Sequence, residues 1–173
     1  MELSFAGADD LDQVAKLVNR AYRSVATSDW TSEVGLIAGP RTSRQALAGS
    51  IENGASIILL AKAAVTGELC GCVALSPLAD AQWYLSMLAV SPQYQSAGVG
   101  KSILSGAESY AQNAGARSLT ISVINLRHRL IEWDERRGFV RTGQTEPFPY
   151  DHLGESVALR RDLVLVSLSK SLG

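Results

Sequence analysis

Apolar positions along the chain change period several times, and each change marks an element. Leu11, Val14, Ala15, Val18, Ala21 and Tyr22 recur at helical spacing behind Asp9 and Asp10, either of which suits an N-cap, and a short strand precedes them. Regular periodicity then stops. Residues 23–42, RSVATSDWTSEVGLIAGPRT, are mixed polar and glycine-containing, too long for a plain connection, and loops of that length are more often functional. A second helix is expected over residues 43–53, ended by Gly54. Three apolar runs follow, ASIILLAKA, LCGCVAL and WYLSMLAV, divided by TGE and SPLADAQ, turn-like segments short enough for antiparallel neighbours.

Helical spacing returns with Val99, Ile103, Leu104, Ala107, Tyr110, Ala111 and Ala114, closed by Gly115. SLTISVI alternates Leu119, Ile121 and Val123 as a strand does, and Leu126, Leu130, Trp133 and Arg137 form another helical stripe before Gly138. Phe139 opens a strand, the turn-rich TGQTEPFPYDHLGESVALRR follows, and DLVLVSLS is a last strand. The order β-α-α-β-β-β-α-β-α-β-β predicts an α/β chain with a mixed sheet flanked by helices. No repeat or linker interrupts it, so residues 1–173 are expected to form one domain, of a size that buries a substantial core.

Composition narrows the partners. Apolar residues make up 46% of the chain and charged ones 19%, with a net charge of -1, the profile of a soluble globular protein. The 16 Lys and Arg are scattered and balanced by 17 Asp and Glu, which argues against nucleic acid as a partner. No apolar run approaches the roughly 18 residues that span a bilayer. The N-terminus MELSFAGADD lacks the basic-then-apolar layout of a signal peptide, so a cytoplasmic protein with no membrane partner is expected. Cys70 and Cys72 lie two apart, which on a regular strand turns both to one side and leaves them unbridged. With only two His besides, they are expected to be small buried side chains and no metal site is expected.

The candidate chemistry centres on YQSAGVGKS, residues 94–102. Gly98 and Gly100 let the backbone turn tightly, and Lys101 opens a helix whose unpaired N–H groups form an anion site suited to a pyrophosphate. The ending GKS matches a Walker loop, but that pattern needs glycine where the chain has Gln95, and the next strand ends in Asn125 instead of aspartate. A dinucleotide fingerprint needs a third glycine where Ile103 stands.

Gln95, Gly98 and Gly100 instead form Q-x-x-G-x-G, which resembles the Q/R-x-x-G-x-G/A signature of the GNAT superfamily of acetyl-CoA-dependent N-acetyltransferases. The resemblance extends over nearly the whole chain: LAVSP before the loop, and NLRHRLIEWDERRGF at residues 125–139, which is similar to the family layout N-L-R-x-x-L-I-x-W-Y-E-R-R-G-F. Trp30 to Glu33 and Gly39 to Thr42 also resemble a W-T-x-E and G-x-R-T pairing of some members. It implies a central mixed, mostly antiparallel sheet flanked by helices. It further implies that the backbone N–H groups of Ser96, Ala97, Gly98, Val99, Gly100, Lys101 and Ser102 hold the CoA pyrophosphate behind Gln95, with the Lys101 ammonium as a supplementary charge. Leu88, Ala89 and Val90 occupy the place where the family's strand bulges and pantetheine pairs with its open edge. There the Leu88 N–H is expected to polarise the thioester oxygen, and Asn125 to meet the pantetheine arm or to cap the helix after it.

The resemblance breaks at Asp134, where the closest family pattern has a proton-donating tyrosine. An aspartate of ordinary pKa, about 3.9, is ionised at neutral pH and donates poorly unless burial raises it. Asp134 is therefore expected to be an acid only if buried, a partner for a cationic amine, or a solvated helix residue. Glu33, in the long loop beside Trp30, is the first candidate base for the acceptor amine. Glu146, Tyr150, Asp151 and His152 fall in the segment before the last strand, the other acceptor wall of the family, while His128 is expected at the surface. Asp29, Glu33, Glu146 and Asp151 lean toward a small cationic amine as acceptor, though a protein N-terminus or lysine also fits, and a homodimer is compatible. Three functions follow: an acetyl-CoA-dependent N-acetyltransferase, an acyl-CoA-binding sensor without catalysis, and a nucleotide-binding domain of another kind.

Overall fold

The first helical stripe forms α1, Leu11–Arg23, in which Leu11, Val14, Ala15, Leu17, Val18, Ala21 and Tyr22 are all buried. The computed structural model describes residues 1–23, 32–95 and 97–173; the expectations for Asp29, Trp30 and Ser96 lie outside them. Neither Asp9 nor Asp10 caps α1 directly. A 3₁₀ turn over Ala8–Asp10 precedes it, and the Asp10 carboxylate accepts the Gly7 N–H at 2.9 Å. The second helix, α2, is Arg44–Glu52, started by Ser43, whose hydroxyl accepts the Ala46 N–H at 3.2 Å. The third, α3, is Val99–Asn113, and α4 is His128–Glu135.

Nine strands accompany them among the described residues: β1 Glu2–Phe5, β2 Ile37–Ala38, β3 Ile57–Lys62, β4 Leu69–Pro77, β5 Gln82–Val90, β6 Ser118–Ile124, β7 Val140–Pro147, β8 Val157–Ala158 and β9 Val164–Ser171. Seven form one sheet in the order β1-β3-β4-β5-β6-β9-β7. Every pair is antiparallel except β5 and β6, which α3 joins as a crossover. One face packs on α1 and α2 through Ile58, Leu60, Cys72, Ala74, Met87 and Ala89. The other packs on α3 and on Ile131 of α4 through Leu59, Ala61, Val73, Leu75, Leu85 and Leu88. The expected mixed, mostly antiparallel sheet between helices is thus observed.

Two irregularities break the alternation of side chains. At the start of β4 the register shifts opposite Ala61 and Lys62, and the inserted residue sends Cys70 to the α3 face while Cys72 stays on the α1 face. The two thiols therefore lie on opposite sides, contrary to regular alternation, and both are free and buried. In β5 the register shifts opposite Cys72 and Ala74 at Met87, whose φ of 57° is left-handed. Leu85 faces α3, Met87 faces α1, and Leu88 and Val90 face α3 again. Pairing of β5 with β6 covers only Gln82 to Tyr84 against Ser118 to Thr120, so the two strands part beyond that point and leave a cleft.

The sheet also reaches further than the sequence suggests. Strand β7 runs to Pro147 through residues that read as turn, with a shift between Arg141 and Thr145, so Glu146 sits on an edge strand opposite Leu165. The long loop contributes β2, which pairs with β8 through Ile37 with Ala158 and Ala38 with Val157. No helix among the described residues is long and apolar enough to cross a membrane.

Helix and sheet approach closely at Gly71, where an added Cβ would lie 2.5 Å from Ile103 Cδ1 and 2.7 Å from the Ala89 oxygen. Gly71→Val is expected to destabilise the fold by about 1–3 kcal/mol through overpacking, measured by urea denaturation.

Candidate functional site

The loop between β5 and α3 is tied down before it can bind anything. The Gln95 side-chain amide donates to the Val90 carbonyl at 3.2 Å, and the Gln95 N–H donates to the Pro92 carbonyl at 3.3 Å. The Gln95 side chain therefore fastens the loop to the end of β5, while its N–H closes a turn within the loop. Gly98 follows at φ 79°, a left-handed position that glycine adopts without a Cβ clash, and turns the chain into α3. The expected set of phosphate donors narrows here. The Ala97 N–H is used by the Tyr94 carbonyl at 3.4 Å, and the Ser102 N–H by the Gly98 carbonyl at 3.0 Å. The N–H groups of Gly98, Val99, Gly100 and Lys101 have no acceptor among the described residues, as the first turn of a helix dictates.

A cavity of about 190 Å³ lies against these donors, lined also by Val90, Trp133 and Arg137. The Arg137 guanidinium stacks on Trp133, 3.4 Å from the ring centroid, and donates to the Trp133 carbonyl at 2.8 Å. Burial lowers its pKa from the ordinary value. Arg137 is thus a second cation beside Lys101, and a helical stripe alone gave no sign of that role.

A larger cavity, about 300 Å³, fills the cleft between the parted strands, with Leu85 to Leu88 on one side and Ile121 to Ile124 on the other. The two cavities share α4 as a wall, Leu130 and Asp134 lining one and Trp133 the other, with Arg137 just beyond the helix. Leu88 lines the larger, Val90 the smaller and Ala89 neither. The bulge between them is held from below. The buried Tyr22 hydroxyl donates to the Leu88 carbonyl at 3.3 Å, and the Cys72 thiol contacts the Met87 carbonyl at 4.0 Å. Burial raises the Tyr22 pKa and pushes the Cys72 thiol up to about 12, so both remain protonated donors.

Asp134 is 5% exposed, which removes the solvated reading. Burial pushes its carboxyl up to about 7 against the opposing pull of Arg127 and Arg137, and no described residue hydrogen-bonds to it. This is the condition under which an aspartate in the tyrosine's place retains a transferable proton.

Glu33 is equally buried and also lines the larger cavity, but its carboxylate is engaged. Arg23 Nη1 donates to Oε2 at 2.5 Å and Arg127 Nη1 to Oε1 at 3.3 Å. Glu33 therefore has a structural role, one carboxylate holding two guanidiniums, beside the role of base expected of it. Asn125 departs from expectation. Its Oδ1 accepts the Val164 N–H at 3.1 Å and its Nδ2 donates to the Asp162 carbonyl at 3.3 Å, so it clips β6 to β9 and lines neither cavity. It does not cap α4, whose N-cap is Arg127. Neither Glu146 nor Asp151 lines the larger cavity; His152 does, from an exposed position, and His128 is exposed on α4. The cavity's own charged groups include Arg23, Arg41 and Arg127, which the sequence reading left without roles.

Among the described residues no group of three or more His, Cys, Asp or Glu is placed to hold a metal ion. A model described as the acetyltransferase (GNAT) family matches residues 15–139. Solved structures agree in fold. The smu.2055 protein of Streptococcus mutans superposes with a TM-score of 0.75 at 16% identity, covering 100% of both chains. The ribosomal-protein-S18-alanine N-acetyltransferase of Escherichia coli gives 0.73 at 16% identity, over 99% of this chain and 94% of that one. The yncA protein of Salmonella typhimurium, solved with its cofactor acetyl-CoA, gives 0.69 at 18% identity, over 100% and 94%. No curated protein matches the sequence significantly.

Two substitutions separate the buried carboxyls. With its pKa raised from 3.8 to about 7, Asp134 binds a proton more tightly in the folded chain than in the unfolded one. Its contribution to stability is therefore complete below about pH 4 and is lost as pH rises through about 7. Asp134→Asn is expected to melt higher than wild type at about pH 8, with the gap closing toward pH 4, in thermal denaturation across pH. Glu33→Gln is expected to lose roughly 3 kcal/mol at neutral pH, since it leaves two guanidiniums facing one another without their shared carboxylate.

Proposed function

The chain belongs to the acetyltransferase (GNAT) family, and on that premise we propose that residues 1–173 form a single-domain N-acetyltransferase that moves the acetyl group of acetyl-CoA to a primary amine by direct attack. One observation carries this reading: a buried carboxyl with a pKa of about 7 shares a cavity with the bulged edge of β5.

The residues present fit acetyl-CoA. Four unpartnered N–H groups, Lys101 and Arg137 surround the smaller cavity, which suits an anionic pyrophosphate. The larger cavity follows along β5, so an elongated molecule held by its phosphates extends toward Asp134. Acetyl-CoA supplies an activated acyl carbon: the acceptor nitrogen bonds to it as the C–S bond breaks, the thiol keeps one of the two ammonium protons lost, and solvent takes the other.

The chain's own groups act on charge and protons. The Met87 carbonyl is turned toward the Cys72 thiol, and in a trans peptide the Leu88 N–H points the opposite way. Leu88 N–H is the donor to the thioester oxygen, with Tyr22 fixing the carbonyl behind it. Asp134, half ionised near neutrality, accepts a proton from the ammonium and returns one to sulfur. A single carboxyl at this pKa serves as base and then acid, which supports the enzyme over a silent acyl-CoA sensor.

Acetyl-CoA is expected to raise the melting temperature, and ATP is not, because only a ligand of the native state stabilises it by mass action. Thiol release over an amine panel then separates enzyme from sensor: binding without turnover on any amine would favour the sensor. For Asp134→Asn, kcat/KM is expected to fall by about 100-fold or more, and to lose the limb that rises with pH through about 7. An unchanged pH profile would remove Asp134 from the chemistry.

A further inference from the structure

The charges of the larger cavity do not suit a purely cationic acceptor. Arg23, Arg41 and Arg127 line it, against the carboxyls of Glu33 and Asp134. Among the described residues three cations face at most two anions, an excess of positive charge in either protonation state of Asp134. Glu33 is shared between Arg23 and Arg127. The Arg41 guanidinium meets no carboxylate among the described residues.

Arg41 is nevertheless held in place as a binding residue is. Asn19 Oδ1 accepts the N–H groups of Arg41 at 2.6 Å and Thr42 at 3.1 Å, while Asn19 Nδ2 donates to the Thr42 carbonyl at 2.9 Å. One step earlier, Ser156 Oγ donates to the Pro40 carbonyl at 2.5 Å and Arg23 Nε to the Gly39 carbonyl at 2.6 Å. The segment is thus pinned at four consecutive residues by three separate side chains. From this platform the Arg41 guanidinium reaches over the Tyr22 ring, 5.5 Å from its centroid, and that of Arg127 lies at the same distance from the same ring. Two like charges gathered on one aromatic ring beside a cavity repel one another unless an anion lies between them.

We propose that the acceptor is an amino acid or a comparably short molecule carrying a carboxylate beside its amine, and that Arg41, with Arg127 next to it, binds that carboxylate. This deepens the acetyl-transfer reading and rests on it. A planar guanidinium matches a carboxylate through two parallel N–H donors, which fixes the acceptor's orientation as well as its charge. The amine then lies toward Asp134 and the Leu88 bulge. The surrounding positive charge also favours the neutral amine over the ammonium, so the same arginines that select the acceptor raise its nucleophilic fraction.

The test compares α- and β-amino acids with their own carboxamides as acceptors, read as kcat/KM by thiol release at saturating acetyl-CoA. Wild type is expected to prefer the free acid by about tenfold or more, the scale of one charge-assisted hydrogen bond. Arg41→Ala is expected to erase that preference through KM and Arg41→Lys to keep part of it, while the thermal shift given by acetyl-CoA alone stays as in wild type. Equal or better use of the amides by wild type, a preference that survives Arg41→Ala, or no turnover of any amino acid would each overturn the proposal. Those outcomes leave acetyl transfer standing wherever acetyl-CoA still shifts the melt and another amine turns over; loss of the acetyl-CoA shift in wild type would instead strike the acetyl-transfer reading itself.

Discussion

Met87 sits in a left-handed conformation that costs a β-strand residue about 1–2 kcal/mol, and the functional part of the molecule depends on that distortion being held. The bulge exchanges the faces of β5, ends its pairing with β6 after Tyr84, and so opens the cleft into which Leu88 and Asp134 both look. Buried donors on the α1 side hold it: the Tyr22 hydroxyl and the Cys72 thiol face the two carbonyls that flank the bulge. The other bulge, at the start of β4, turns Cys70 to the α3 face and leaves Cys72 on the α1 face beside Met87.

Electrostatics treats the two buried carboxyls of the same cleft differently. Glu33 and Asp134 are buried to the same extent, yet they behave in opposite ways. Two guanidiniums engage Glu33, which fixes it as a tie between α1 and the segment before α4. The Asp134 carboxyl lies within the influence of Arg127 and Arg137 but receives no hydrogen bond from described residues, so desolvation dominates and its pKa rises. Partner geometry, more than depth of burial, sets the two carboxyls apart.

Helical stripes and apolar runs foretold most of the sheet and all four helices because those residues are buried by local period: the six apolar positions read for α1 are all in its buried face. The GNAT resemblance anticipated the β5 bulge and the anion site at α3, since both follow from backbone patterns that specific residues signal, Gly98 above all. Local reading failed where a residue's partner is remote in sequence. Glu33 gave no sign in the sequence of its tie to Arg127, 94 residues away. Asn125 looked like a cofactor contact or cap, and instead pairs with the entry to β9, 39 residues on. Arg41 entered only as one position of the G-x-R-T stretch, because what sets it apart, a guanidinium that meets no carboxylate among the described residues, shows only in three dimensions. β7 was truncated for a related reason: its Thr, Gly and Pro residues read as turn, while the long β9 beside it supplies the pairing.

The small ribbon of β2 and β8 joins the early loop that carries Glu33 and Arg41 to the late segment that carries Phe148 and His152. Ser156 bonding to the Pro40 carbonyl adds a second tie between them. The mouth of the cleft is therefore a single mechanical piece built from the two ends of the chain. Divergence in acceptor preference along this lineage would proceed by paired replacements in both segments, and a transplanted loop from either one alone would arrive without the half that gives it shape.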